Sequence, residues 1–287
     1  MKQHTLGWIN GFIGVAIFSG TLPATRVAVQ QLPPLFVTSA RACIAALLGG
    51  LLLCLLKQTR PHAAQLRSLI LVSMGVVLGF PLFTSLALQH ASSAHMIVFV
   101  GLLPLSTALF AVWRGGERPK PLFWAFALVG AISVASYALL NSDGAPWFSD
   151  VLMLAAIVVC GMGYAAGAKL SRELGGWQVI SWALLLSLPV ILPLALWSWP
   201  SPIAPVHSNA WWSLAYVSVF SMLIGFVFWY QGLAQGGTAA VGQLQLLQPF
   251  MGLGLAALLL QEHIHSSMLV VTVVAVLCVA GAKRFAH

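Results

Sequence analysis

Gln243, Gln245 and Gln248 stand close together inside an otherwise apolar run. On a helix Gln245 and Gln248, three apart, share a face, while Gln243 points partly away. A side-chain amide both donates and accepts, so this face can hydrogen-bond a polar solute or a neighbouring helix. Pro249 follows directly. A proline inside a helix leaves the carbonyl four residues back without its partner, here that of Gln245, and Pro104 does the same to Val100. Carbonyls freed in this way can take an amine. Alternatively a nearby Ser or Thr satisfies them, and the proline only bends its helix.

Arg26 and Arg41 add two guanidinium groups among apolar neighbours. Each could hold a carboxylate, Arg26 ahead of Arg41. The simpler expectation is a structural or gating ion pair with Glu262, Asp143 or Asp150, the Arg stems lying along apolar surface. His95 could act as a proton-coupling switch, or as an ordinary hydrogen-bonded interface histidine. Hydroxyls at Ser19, Thr21, Thr25, Thr84 and Ser85 and rings at Phe80, Phe83, Phe99, Tyr164, Phe226, Trp229 and Tyr230 complete the set. The expected lining of a central cavity is Gln245, Gln248, Thr21, Thr25, Phe80, Thr84, Phe99, Tyr164, Trp229 and Tyr230. Amides, hydroxyls and rings with few charges suit a solute with a large apolar side chain better than a phosphorylated sugar. Glu262-His263-x-His265 has metal-ligand residue types but no fourth ligand nearby, and reads as a polar turn. The four cysteines lie in apolar runs without a CxxC and read as small buried apolar residues. No metal or cofactor is expected.

The elements that position these groups follow from composition. Of 287 residues, 13 are Lys or Arg and 5 are Asp or Glu; 60% are hydrophobic, with a mean hydropathy of +0.96. A soluble domain needs about 25% charged residues to wet its surface, so an ordinary globular enzyme is excluded. A membrane span takes about 20 apolar residues. Ten fit, near 7–29, 33–56, 67–88, 91–112, 120–140, 148–170, 177–199, 209–233, 236–260 and 265–283. The first follows Lys2 and runs past Val29 without a cleavage site, so it reads as a span and not a signal peptide. With a cytoplasmic N-terminus, Lys2, Lys57, Arg60, Arg67, Arg114, Arg118, Lys120, Lys169, Arg172, Lys283 and Arg284 all fall inside, and the outside loops hold no Lys or Arg. Both termini are therefore expected in the cytoplasm, with the protein in the inner (plasma) membrane. The same distribution accounts for the net charge of +8 without a nucleic-acid partner. Trp8, Trp113, Trp147, Trp177, Trp197, Trp199, Trp211 and Trp212 mark span ends. Gly7/Gly11 and Gly163/Gly167 have the spacing of close helix contacts.

A constant offset of 145 residues relates the two halves: Pro104 to Pro249, Glu117 to Glu262, Ala94 to Ala239, Ser93 to Thr238, Leu88 to Leu233 and Phe83 to Phe228. Five helices in each half, 1–145 and 146–287, put the second half in the opposite orientation. Inverted repeats serve alternating access. The segments "FSGTLPATRVAV" and "PPLFVTSARACIAALLGGLLL" resemble the first two helices of the drug/metabolite transporter superfamily, EamA type. "ALQHASSAHMIVFVGLLPLSTALFAVWRGGER" and "GLAQGGTAAVGQLQLLQPFMGLGLAALLLQEH" resemble that family's paired hairpins, each a small-residue turn, a helix with a central proline and a closing Gly-Glu. The chain departs at Gln261-Glu262, where the family has Gly, and at Arg26, where it often has Lys. The resemblance spans nearly the whole chain. It implies a ten-helix exporter of small metabolites or drugs working without ATP, often of amino acids, the aromatic amino-acid exporters being the subtype expected.

Three other readings compete. Efflux of amphipathic cations would favour a membrane-buried carboxylate, and none is visible. A membrane enzyme would need a nucleophile–base or metal set, but HExxH, GxSxG, Walker and paired-carboxylate patterns are absent. A passive channel stays compatible with the sequence.

Overall fold

The computed structural model describes residues 2–115, 119–140, 146–200 and 206–263, together with 266, 270, 271, 273, 274, 277, 278, 280, 281 and 285. Among the described residues the chain is helical throughout. Eight helices are long and apolar enough to cross a membrane. We label the helices α1 (Thr5–Val29), α2 (Pro34–Leu55), α3 (Ala63–His90), α4 (Ser93–Trp113), α5 (Pro121–Leu140), α6 (Trp147–Leu174), α7 (Gly176–Trp197), α8 (Ser208–Gly236) and α9 (Thr238–Leu260). α5 is not one of the eight, its described apolar stretch being the shorter Pro121–Ser133. The span expected at 265–283 falls largely outside the described residues, as do Glu117, Arg118, Asp143, His265, Lys283 and Arg284.

Helix ends follow local chemistry. α2 and α5 open on prolines, whose missing N–H is no loss in a first turn. α6 passes into α7 through Gly175 alone (φ +97°, ψ 150°), and α8 into α9 through Gly237 (φ +88°, ψ 135°). Both conformations lie in a region open essentially to glycine. α9 ends at Gln261 in the left-handed region (φ +53°, ψ 31°). A helix commonly ends there on glycine, which explains in physical terms the residue the family favours. Glu262 then turns back onto the start of α4. Its carboxylate accepts from the Ala94 N–H at 2.9 Å, the Ser93 N–H at 3.3 Å and the Ser93 hydroxyl at 3.1 Å. The polar turn is thus an anion seated on a helix N-terminus.

Small residues set the closest packing. α1 lies along α8, where a Cβ on Gly232 would stand 2.6 Å from the Gly11 nitrogen and one on Gly7 2.7 Å from the Gly236 nitrogen. Only bare backbone fits at that distance. α2 pairs with α7, and α6 packs against both α3 and α4. The outer flanks carry apolar side chains such as Leu47, Leu51, Leu128, Val158 and Leu258, the surface a bilayer requires. Trp113, Trp147, Trp197 and Trp212 stand exposed at helix ends. Of the cysteines, Cys160 and Cys278 are buried as expected, but Cys54 is exposed on the flank and Cys43 half-buried.

Five helices are interrupted midway. α1 breaks at Gly20, just before Pro23. α3 widens into π-helix over Ser73–Gly79 and α8 over Val217–Ile224. α4 tightens at Gly101 and Leu102, whose N–H groups reach back three residues to Val98 and Phe99. α9 tightens into 3₁₀-helix over Gln243–Leu247. The last two breaks precede Pro104 and Pro249 and share a geometry: Leu102 has φ −81°, ψ −15° and Leu247 φ −77°, ψ −22°. One expectation is corrected here. The Gln245 carbonyl is not freed by Pro249, because the tightened turn brings the Gln248 N–H onto it.

Candidate functional site

The interruptions converge. A cavity at the centre of the bundle is walled by Thr21 beside the Gly20 break of α1, Phe80 and Pro81 after the π-segment of α3, and Leu103 at the break of α4. Ser221, inside the π-segment of α8, and Gln248, at the break of α9, close the other side. Arg41 of α2, Tyr164 of α6 and Phe18 of α1 also line it, together with Leu22, Val76 and Phe226. Irregular helix is tolerated at membrane depth where it lines a cavity. The space is small, about 20 Å³ for the centre of a water-sized sphere, room for one water and no solute. The centre is therefore occluded in this structure.

Polar contacts tie the helices together towards both ends of the bundle. At the end carrying the α2–α3 and α6–α7 connections, Asn10 donates to Gln235 at 3.0 Å and Gln65 to Glu173 at 3.2 Å. At the opposite end the Tyr216 hydroxyl donates to the Ile17 carbonyl at 2.6 Å, and Arg26 to the Leu88 carbonyl. There His95 Nε2 meets the Asp150 carboxylate at 2.8 Å, tying α4 to α6.

The polar groups of the centre are underused. Arg41 is 2% exposed. Its Nη2 donates to the Ser221 hydroxyl at 3.1 Å, while Nε and Nη1 have no partner. Ser221 in turn lies 2.9 Å from the Thr21 hydroxyl. Gln248 donates through Nε2 to the Phe18 carbonyl at 3.3 Å, and its Oε1 is unpartnered. Both amide atoms of Gln243 and of Gln245 lack hydrogen bonds although both side chains are fully buried. The Tyr164 hydroxyl faces Gln245 without reaching hydrogen-bond geometry. Each unmet buried polar group costs about 1–3 kcal/mol, so a cluster of them marks a place built for something else to bind.

Behind the polar face lies an aromatic cluster. Phe18 and Phe226 have ring centroids 4.9 Å apart, Tyr164 and Trp229 5.4 Å, Phe226 and Tyr230 5.5 Å. Such spacings are those of tilted and edge-on aromatic pairs. Trp229 and Tyr230 form its fully buried rear, with the Tyr230 hydroxyl donating to the Gly163 carbonyl at 3.3 Å. Gly167 leaves the space the Tyr230 ring occupies, since a Cβ there would stand 2.2 Å from it.

Of the residues expected at the site, Gln248, Thr21, Phe80 and Tyr164 line the cavity, and Gln245, Trp229 and Tyr230 lie beside it. Thr25 is buried with its hydroxyl unpartnered, away from the cavity wall. Thr84 is buried off the cavity wall, its hydroxyl donating to the Phe80 carbonyl at 2.7 Å. Phe99 packs edge-on against His95, not on the cavity. Arg26 sits half-buried beside α3 and donates to the Leu88 carbonyl; among the described residues it has no ion pair, and Asp143, one of the acids expected to meet it, lies outside them. Arg41 also lacks the expected ion pair among the described residues: Asp150 is held by His95 and Glu262 by α4. Of the two arginines, Arg41 lines the cavity and Arg26 does not.

Sequence reasoning missed Ser221 and Phe18 as lining residues. The offset of 145 carried a signal for Ser221, because it pairs three cavity positions: Val76 with Ser221, Pro81 with Phe226, and Leu103 with Gln248.

A bundle of apolar membrane-crossing helices, broken midway around an occluded polar centre, has the construction of a multi-pass membrane transporter. The comparisons agree with that class. The chain belongs to the EamA-like transporter family, whose model matches residues 5–139 and 147–282. It is 59% identical over 286 residues to "Uncharacterized transporter YdeK" of Bacillus subtilis (strain 168), covering 100% of each chain. An "Uncharacterized transporter" of Archaeoglobus fulgidus is 20% identical over 236 residues, 81% of this chain and 82% of that one. A solved crystal structure superimposes with a TM-score of 0.74 at 19% identity, over 98% of this chain and 97% of the other, and shares the fold.

Proposed function

We propose that the protein exports amino acids with a large apolar, in particular aromatic, side chain across the plasma membrane by alternating access without ATP. The observation that carries this reading is the occluded centre, with unmet amides and a guanidinium on one wall and aromatic rings on the other. A carboxylate end and a ring end are the two features such a cavity can tell apart. No acidic side chain lines it among the described residues, which counts against efflux of amphipathic cations. The two halves, 1–145 and 146–287, act as inverted five-helix repeats of a ten-helix protein with both termini cytoplasmic. Matching π-segments, matching proline breaks and the offset-paired cavity positions support the repeat.

The test is flux in liposomes carrying the purified protein, with labelled Trp, Phe and smaller amino acids, with and without a pH gradient. Saturable aromatic flux that is lost in a Gln245→Ala/Gln248→Ala variant supports the reading. No flux of any amino acid sinks it. Gradient-driven flux would favour a coupled exporter, for which the His95–Asp150 contact of 2.8 Å is the candidate protonation site.

A further inference from the structure

We propose that Arg41 is the anchor for a carboxylate on the solute, and that the cavity therefore prefers ring-bearing carboxylic acids of net charge −1 over zwitterions, and both over amines. This rests on the transport reading above and shifts its preferred solute, placing ring-bearing carboxylic acids ahead of the amino acids named there.

Among the described residues no acid is paired with the Arg41 guanidinium. Arg41 is 2% exposed, and a guanidinium keeps its proton in proteins. The acids that could face it have other partners among the described residues. Asp150 binds His95, Glu262 holds the start of α4, and Glu173 meets Gln65 at one end of the bundle. A buried charge is ordinarily paired, because leaving it alone in a low dielectric is expensive. A carboxylate arriving with the solute would supply the missing partner.

The donor pattern fits that role. Nη2 carries two hydrogens and gives one to the Ser221 hydroxyl at 3.1 Å, while Nε and Nη1 are free. Whichever Nη2 hydrogen is used, the other still forms a parallel pair with Nε or with Nη1. Two parallel N–H groups match the two oxygens of a carboxylate. Ser221, accepting from Arg41, can pass its own proton to Thr21 at 2.9 Å, which leaves the Thr21 proton for a solute oxygen. The neighbouring wall thus presents donors, where an ammonium would need acceptors. Gln248 Oε1 is the unpartnered acceptor on the lining, and an amide oxygen does not neutralise a cation. With a carboxylic acid bound, the closed centre is neutral. With an amino acid it retains one positive charge, and with an amine it holds two.

A structural role makes the opposite prediction for the empty protein. If Arg41 held the fold together, its removal would lower the melting temperature. If it waits for a ligand, its replacement by Gln or Met removes an uncompensated charge and raises the melting temperature.

The experiment uses the purified full chain and three probes with one ring and different head groups: 3-phenylpropanoate, phenylalanine and phenethylamine. Thermal unfolding gives the affinity of each for the wild-type protein. The expected order is 3-phenylpropanoate, then phenylalanine, with no shift from phenethylamine. Arg41→Gln should weaken 3-phenylpropanoate by about 10- to 100-fold and melt higher without ligand, and Arg41→Lys should retain part of the binding. Because the wild-type series needs no variant, a poorly folding Arg41→Gln does not block the test. An equal shift with phenethylamine, no shift with any probe, or undiminished binding in Arg41→Gln overturns the proposal. Head-group-selective binding without liposome flux sinks the transport reading and leaves the anchor standing. Flux without head-group selectivity does the reverse.

Discussion

At the scale of single residues, the site is recognised by side chains that sacrifice stability. Gln245 is fully buried with neither amide atom bonded, so an apolar residue of similar length should be tolerated better there than Gln. Gln245→Met is expected to melt no lower than wild type while losing aromatic flux, and thermal unfolding beside liposome uptake checks both halves of that statement. Gln261 makes the converse case, because its left-handed backbone asks for glycine. Gln261→Gly should stabilise the protein by about 1 kcal/mol, read from the same melts, without changing transport. Much of the residue inventory was legible in the sequence. Gln248 stood out as an amide beside Pro249, and Thr21, Phe80 and Tyr164 as a hydroxyl and rings within apolar spans. The solitude of Arg41 was not legible. It depends on Asp150 and Glu262 being taken by His95 and by the start of α4, and only the three-dimensional packing decides which acid meets which partner.

At the scale of elements, helix positions follow the apolar runs closely, since a span of about 20 residues leaves little freedom in where it starts. The breaks at Pro104 and Pro249 were visible for the same kind of reason, a residue without an N–H. The π-segments of α3 and α8 were not, because no residue type dictates one extra residue in a turn. The one-residue links invite a direct test. Gly175→Ala and Gly237→Ala place a Cβ on backbones at φ +97° and +88°, and each should cost about 1–3 kcal/mol in unfolding experiments. The clamp between α4 and α6 is testable too. Asp150→Asn removes the charge that holds His95 at 2.8 Å, and a cysteine placed at Phe99, behind that ring, should then label faster from the His95 side of the membrane. Unchanged labelling would mean that the clamp does not govern access.

At the scale of the whole molecule, the paired cavity positions are unequal. Val76, Pro81 and Leu103 come from the first half, and their counterparts Ser221, Phe226 and Gln248 from the second. In these pairs hydroxyl and amide both belong to the later copy. The two halves therefore offer a solute unlike polar groups, a guanidinium and the Thr21 hydroxyl from the first and the Ser221 hydroxyl and Gln248 amide from the second. If the halves exchange conformations as proposed, the solute does not meet a mirror image of the surroundings it left. Its dissociation constant on one face of the membrane should differ from that on the other. For an uncoupled carrier detailed balance keeps the ratio of maximal rate to half-saturation the same in both directions, so the tighter face must also be the slower one. The polarity of two side chains would then set a kinetic one-wayness at high concentration, with no energy source behind it.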